Sequence, residues 1–379
     1  MKIVCFSEIQ WKYVRTRKQQ VLSRLPSGWS ILFLSTFVKG KKNNIFPEKD
    51  GNIIHACVPV FKNFPQASLQ ALFSFAPMRF IWNVMLFVWL NMLFAATGFL
   101  SRDRVFYVSN IYYGAVLRFL PRRIMLYDCN DDHLGFPNTP QWAKGYFEKI
   151  VANADLVVAV SEELAEKLDG LGVEKVHHIG NGVDYEVFER AIAEGVPEEM
   201  ARLRRPIIGY SGAVAQWFDF ELLKKTADRF KDSSIVLVGP LFGASLERFN
   251  EIAASRENIF HLGPKPYERL GAYIAAMDVC IIPLKVNELM RYADPNKIYE
   301  YAAAGRPIVT MKHTDKLGEL KGLIYVAASH EEFLDSVALA LERGADEKAL
   351  KAFARKSSWQ ARADAIKELI LEAVKEEVL

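Results

Sequence analysis

The segment LKVNELMRYADPNKIYEYAAAGRPIVT, from Leu284 to Thr310, holds the residues best suited to grip a phosphorylated molecule. Asp294-Pro295 opens a helix that closes at Gly305, since proline suits a helix's first turn and glycine its C-terminus. Free amides and the positive end of the helix dipole make that N-terminus a seat for phosphate. Lys297, in the first turn, adds a full charge. Three residues on, Glu300 falls on nearly the same face, where its carboxylate can accept hydrogen bonds from ribose hydroxyls. The same spacing also fits an ordinary capped helix with a surface Lys and Glu.

A second cluster follows the strand RIMLY, where DCNDDHLGFP places Asp128, Asp131, Asp132 and His133 in one strand-end loop. Carboxylates this close raise one another's pKa, a property useful to a base or acid. Aspartates also cap helices, so a structural role competes. The N-terminal strand ends at Phe6 and runs into SEIQWKYVRTRKQQ, which brings Glu8, Trp11, Arg15, Arg17 and Gln19 to another strand end. Arg17 can bind phosphate or an anionic acceptor. Equally, Arg15, Arg17 and Lys18 can form a membrane-facing set.

These loops need a frame. Short β-rich runs alternate with helical stretches throughout: KIVCF, WSILFLS, VFYVSN, RIMLYD and DLVVAVS, then PIIGYSG, SSIVLVG, NIFHLG, DVCIIP and PIVTM. Such alternation predicts parallel sheets covered by helices. A break follows HHIGNGVDYEVF, giving two Rossmann-like α/β domains, 1–185 and 186–356, that face each other across a cleft. Residues 357–379, with helical periodicity after Ser357-Ser358, form a helix crossing back to the first domain. Ligands of open α/β sheets sit outside the carboxyl ends of the strands, where all these candidate residues lie.

The 379 residues, 51% apolar and 25% charged, have the composition of a globular protein with a large core. Four cysteines without a CxxC pair suggest neither a zinc site nor a disulfide framework, and a reducing cytoplasm fits. No signal-peptide succession opens the chain, so the expectation is that it stays inside. The net charge of +3 hides an asymmetry, because residues 1–127 carry 17 Lys or Arg against 4 Asp or Glu. Something anionic meets that half. Residues 80–100, FIWNVMLFVWLNMLFAATGFL, contain no charge, but Asn83, Asn91, Thr97 and Gly98 interrupt them and strands flank them. The expectation is an interfacial helix, with Trp82, Phe87 and Trp89 touching lipid and Arg79, Arg102, Arg104, Arg118, Arg122 and Arg123 attracting an anionic leaflet. A buried helix is the other reading. Nucleic acid is not expected, since no recognition motif accompanies the basic residues.

The Pro295, Lys297 and Glu300 pattern with the tail EYAAAGRPIV resembles the donor-site signature of GT-B glycosyltransferases related to the large retaining "group 1" family. Further stretches resemble it in order: NGVDYEVF at Asn181–Phe188, GYSGAVAQWFD at Gly209–Asp219, LVGP at Leu237–Pro240, and Asn258–Pro283. The resemblance implies a nucleotide-diphosphate sugar held by Gly212, Lys285, Pro295, Asn296, Lys297, Tyr299 and Glu300, with the base near Gly263 to Tyr267. It implies an acceptor domain in the first half, with Asp128, Asp131, Asp132 and His133 as catalytic candidates and Glu8, Trp11 and Arg17 contacting acceptor or phosphate.

Two departures stand out. Ala213 and Phe218 occupy positions where the family has a basic pair, leaving phosphate neutralisation to Lys297, with Lys285 and Arg291 behind it. Tyr292 replaces the first of two glutamates spaced eight apart. The expected activity is hexosyl transfer, without metal or cofactor beyond the donor, UDP-linked by analogy. The expected acceptor is a membrane-associated glycan at the inner membrane face, with a lipid-linked oligosaccharide as the form the membrane argument suggests. A nucleotide-sugar epimerase or sugar phosphorylase on the same fold is the alternative.

Overall fold

Strands buried on both faces lose the polar–apolar alternation of half-exposed ones. Ile3, Val4, Cys5 and Phe6 are all buried in this way. A computed structural model describes residues 1–12, 15–38, 42–60, 67–136 and 139–377. The chain divides into two units, Met1–Gly180 with Arg362–Leu379, and Asn181–Ala361.

The first unit is built on an eight-stranded sheet of Lys2–Ser7 (β1), Ser30–Thr36 (β2), Glu48–Asp50 (β3), Ile53–Val58 (β4), Val105–Val108 (β5), Ile124–Cys129 (β6), Leu156–Ala159 (β7) and Val176–His178 (β8). Its order is β3-β4-β2-β1-β5-β6-β7-β8. Every pairing is parallel except the edge hairpin of β3 with β4. Neither strand of that hairpin stood among the β-rich runs of the sequence. The order reverses beside β1, so the chain leaving β1 at Glu8 and the chain leaving β5 at Ser109 lie at a topological switch point.

The second unit carries Ile207–Ser211 (β9), Ser234–Val238 (β10), Ile259–His261 (β11), Val279–Ile282 (β12), Ile308–Met311 (β13) and Tyr325–Ala327 (β14). They form an all-parallel sheet in the order β11-β10-β9-β12-β13-β14, a Rossmann order with its switch point between β9 and β12. Alternate residues feed two cores. Ile207, Val236, Val238, Cys280 and Ile282 pack with Phe188, Ile298 and Tyr301. Ile208, Tyr210, Leu237, Ile281 and Val309 pack with Leu222, Leu223 and Phe333.

In the first unit, most of the uncharged segment lies in the 22-residue helix Ala76–Thr97, which also carries Arg79 and is stopped by Gly98 in the left-handed conformation. Leu86, Leu90, Leu93 and Phe94 are buried, and the Arg104 guanidinium lies 4.2 Å over the Phe94 ring. The helix is therefore part of this domain. Its opposite face leaves Phe80, Ile81, Val84, Met85, Val88 and Met92 exposed. Those six residues, rather than Trp82, Phe87 and Trp89, form the outward apolar face. Trp82 instead donates its indole N–H to the Pro59 carbonyl at 3.1 Å.

The C-terminal helix Trp359–Glu376 supplies the closing part of the first unit. Ala363, Ile366 and Ile370 are buried. Arg123 donates to the Val374 carbonyl at 2.8 Å and to the Glu377 carboxylate at 2.9 Å.

Candidate active site

In the second unit, β9 ends at Ser211 and the chain turns through Gly212 at φ +138°, a conformation open essentially to glycine alone. The Gly212 amide donates to the Val238 carbonyl at 2.8 Å, fastening this turn to the end of β10. Gly239, at φ +145°, follows β10, and a Cβ there would stand 2.1 Å from the Gly212 carbonyl oxygen. Two strand ends thus meet without side chains between them, leaving the backbone open to a close ligand.

The helix expected after Asp294-Pro295 runs Asn296–Ala303. Pro295 is its N-cap rather than its first helical residue. No side chain caps the N-terminus and no acidic residue occupies the first turn. Its first amides and dipole are therefore available to an anion. Lys297 reaches from this helix toward Gly212, its Nζ 5.2 Å over the Tyr210 ring. Among the described residues no carboxylate pairs with it. Burial pushes the Glu300 carboxyl up to about 7, with Lys297 opposing the shift.

Supports fix these groups. The Tyr301 hydroxyl donates to the Ser211 carbonyl at 3.3 Å and accepts from the Ser211 amide at 2.7 Å, tying the helix to the strand end. Tyr210 and Trp217 both donate to the Ala213 carbonyl, at 2.9 and 3.3 Å. Lys285 donates to the Gln216 carbonyl at 2.7 Å, so it braces the same loop. Phe218, which stands where a basic residue was expected, is buried against Tyr210 and Phe220. Asn296 Oδ1 is buried without a hydrogen-bond partner among the described residues. Tyr299 is another residue expected to contact the donor. Its ring stacks on Phe353 and its hydroxyl donates to the Asp294 carboxylate at 2.9 Å. Asp294 in turn accepts the Asn181 amide at 2.6 Å.

In the first unit the acidic loop is taken apart by its partners. Asp128 is fully buried, and Arg17 donates from Nε to both its carboxylate oxygens at 3.0 Å. Tyr107 also donates to Asp128, and Arg17 Nη1 donates to the Gly180 carbonyl at 2.8 Å. This buried pair ties Asp128, one of the catalytic candidates, to Arg17, a candidate contact to acceptor or phosphate, inside the protein. The membrane-facing reading of Arg17 and Lys18 fails, since both are buried and Lys18 is paired with Glu8. Asp132 is paired with Lys167 at 2.9 Å.

Because Asp128 and Asp132 each have a cation, their mutual repulsion no longer argues for an acid or base. Asp131 accepts from Asn130 Nδ2 at 2.9 Å and remains partly accessible. The His133 ring lies 6.5 Å from Tyr127. Trp11 donates to Asp50 at 3.0 Å with its ring edge on Phe33. It thus joins the β3 edge, away from the acidic loop after β6.

The sheet orders and the glycine-to-helix site define the class. The fold is GT-B, and three solved structures cover nearly the whole chain. The Escherichia coli trehalose-6-phosphate structure bound with UDP-2-fluoro glucose aligns with a TM-score of 0.73 at 12% identity, covering 99% of each chain. Sucrose-phosphate synthase of Thermosynechococcus elongatus aligns with 0.73 at 15%, covering 98% of each. Anabaena Alr3699/HepE in complex with UDP and glucose aligns with 0.70 at 15%, covering 98% of this chain and 99% of that one. Identities this low establish likeness of fold alone.

Residues 205–343 match the family described as Glycosyl transferases group 1. A stretch of 206 residues is 28% identical to a Bacillus subtilis (strain 168) protein assigned as the teichuronic acid biosynthesis glycosyltransferase TuaH. That alignment covers 52% of this chain and 51% of the relative, about half of each.

Proposed function

We propose that this protein transfers a sugar from a nucleotide-diphosphate donor, of which UDP is the best-supported nucleotide, to a membrane-associated glycan acceptor. The observation that carries the reading is the approach of Lys297 to Gly212 across the N-terminus of the helix Asn296–Ala303. A diphosphate seated there meets a lysine, uncapped amides and a backbone without Cβ atoms. Glu300 lies one turn along to take the ribose hydroxyls. UDP as the nucleotide rests on the UDP or UDP-sugar bound in two fold neighbours.

Charge builds on the leaving diphosphate as the glycosidic bond to it breaks, and Lys297 with the helix dipole meets that charge without a metal. If the reaction inverts the anomeric centre, Asp131 is the remaining accessible carboxylate of its loop to take the acceptor's proton. A cytoplasmic protein at the inner face of the membrane fits the apolar face of the helix Ala76–Thr97, flanked by the basic half of the sequence. It also fits the teichuronic acid biosynthesis named for the TuaH relative.

Thermal unfolding with UDP, GDP, ADP, CMP and dTDP, for wild type and Lys297→Ala, tests the donor site. Stabilisation by one diphosphate that weakens in the variant is expected. No stabilisation by any nucleotide would overturn the transferase reading.

A further inference from the structure

The edge strand β11 reads Ile259-Phe260-His261, and the imidazole is its one polar side chain. His261 stands opposite Leu237 of β10, two residues before the Gly239 turn. Its ring lies 5.4 Å from that of Phe249, on the side of the sheet where Ile259, Leu237 and Phe249 form a core. A polar ring set against an apolar core needs a hydrogen-bond partner. His261 finds one in the Gly239 carbonyl oxygen, 2.7 Å from Nε2. A carbonyl oxygen only accepts, so Nε2 is the nitrogen that carries the proton.

That bond falls on a peptide group with few other restraints. Pro240 follows Gly239, so the peptide joining them has no N–H. No backbone amide among the described residues donates to its carbonyl. Glycine has no Cβ to limit its rotation. On its other side, the Gly239 amide donates to the Gly263 carbonyl at 2.9 Å, so Gly239 is held from both ends by the chain leaving β11.

The turn held in this way belongs to the donor site. The Val214 amide donates to the Pro240 carbonyl at 2.9 Å, and the Phe242 amide to the Val214 carbonyl at 3.0 Å. These bonds zip the loop after β10 to the loop after β9. Gly239 packs on the Gly212 carbonyl, and Lys297 packs on Gly212. A rotation of the Gly239–Pro240 peptide is therefore passed to the Gly212 turn and to the lysine beside it.

We propose that His261 is a positioning residue of the donor site. By holding the Gly239 carbonyl it keeps the end of β10 seated against Gly212, and so fixes the backbone and the Lys297 ammonium that receive the diphosphate. It acts through Gly239 and touches no donor atom itself. This rests on the donor-site reading and extends that site to a side chain outside the glycine turn and the helix Asn296–Ala303.

Calorimetric titration with UDP compares wild type, His261→Phe and His261→Gln. Phenylalanine keeps a flat ring beside Phe249 but has no donor, whereas glutamine restores an N–H. The expected result is a Kd for UDP raised about three- to tenfold in His261→Phe, the worth of one neutral hydrogen bond, with part of the affinity recovered in His261→Gln. Unchanged UDP affinity in His261→Phe overturns the positioning role even where the melting temperature falls, because a histidine that only supports the core costs stability and leaves affinity alone. Equal loss in the two variants overturns it as well, since the ring and not the hydrogen bond would then matter. A second measurement needs no folded phenylalanine variant. The nitrogen-15 NMR signal of the His261 side chain, assigned by its absence from His261→Gln, should shift when UDP saturates the wild-type protein, and a signal unmoved by UDP counts against the role. Wild-type UDP binding tests the parent reading separately. If wild type binds UDP and both variants bind it equally well, only the assignment of His261 falls.

Discussion

A Cβ on Gly212 would stand 2.5 Å from Cε of Lys297 and 2.8 Å from its Nζ. The lysine thus occupies the space a side chain would need, and the backbone at φ +138° adds its own restriction. Gly212→Ala is expected to lower stability by about 1–3 kcal/mol through that strain. It should also displace the Lys297 ammonium and abolish most of the stabilisation by UDP. Denaturant unfolding with UDP calorimetry measures both, and unchanged UDP affinity would remove Gly212 from the donor site.

Lys297→Ala removes a charge-assisted contact worth about 1.5–3 kcal/mol, so UDP affinity should fall about 10- to 100-fold. Lys297→Arg should retain part of it. Because Lys297 lacks a carboxylate partner among the described residues, the unliganded protein should melt within a few degrees of wild type. A large drop in melting temperature with unchanged UDP affinity would mark Lys297 as structural.

The Glu300 carboxyl, raised by burial to about 7, makes a signed prediction. The folded protein holds this proton over a range where the unfolded chain has lost it. Stability from this group is therefore present below pH about 4.5, declines toward pH 7 and is flat above. UDP should act in the opposite sense, since ribose hydroxyls donating to Glu300 favour its ionised form. UDP affinity should improve between pH 6 and 8, and Glu300→Gln should remove that part of the improvement. Titration of UDP itself is common to both proteins and cancels in the comparison.

Arg17 and Asp128 form a buried pair in the first unit. Asp128→Asn strands a buried guanidinium and is expected to cost about 3–5 kcal/mol. Replacing both by apolar residues should cost less than either single change. Chemical denaturation of the three variants decides it, and an Asp128→Asn protein of wild-type stability without activity would restore the catalytic assignment.

Phe80→Asp with Met85→Asp places charge on the exposed face of the helix Ala76–Thr97. Sedimentation with vesicles of phosphatidylglycerol and phosphatidylcholine should be lost, with little change in melting temperature. Binding by the double variant equal to wild type would argue against this face as the lipid contact.

Much of the frame was legible in the sequence because fully buried parallel strands are continuous apolar runs, as KIVCF and DVCIIP are. The strand Ile53–Val58 escaped, since His55 and Ala56 dilute its β signal, and so did Tyr325–Ala327, which is only three residues long. On the donor side, Lys297 and Glu300 share a helix turn, so their spacing carried the geometry. The partners of the acidic loop were hidden for the opposite reason. Asp128 finds Arg17 111 residues away, a partnership no local pattern encodes. The same applies to Tyr299, whose stacking on Phe353 depends on how two helices pack. Tyr210 and Tyr301, which brace the glycine turn, gave no local signal beyond hydrophobicity.

The return of Arg362–Leu379 to the first unit bears on how the protein is made. The first sheet is complete once Gly180 has left the ribosome, but its last covering helix is not yet translated. At about 5–20 residues per second, synthesis of Asn181–Ala361 takes roughly 9–36 s. During that interval the surface destined for Ala363, Ile366 and Ile370 stays bare. A nascent first unit therefore offers chaperones, or the membrane itself, an apolar patch that the finished protein hides.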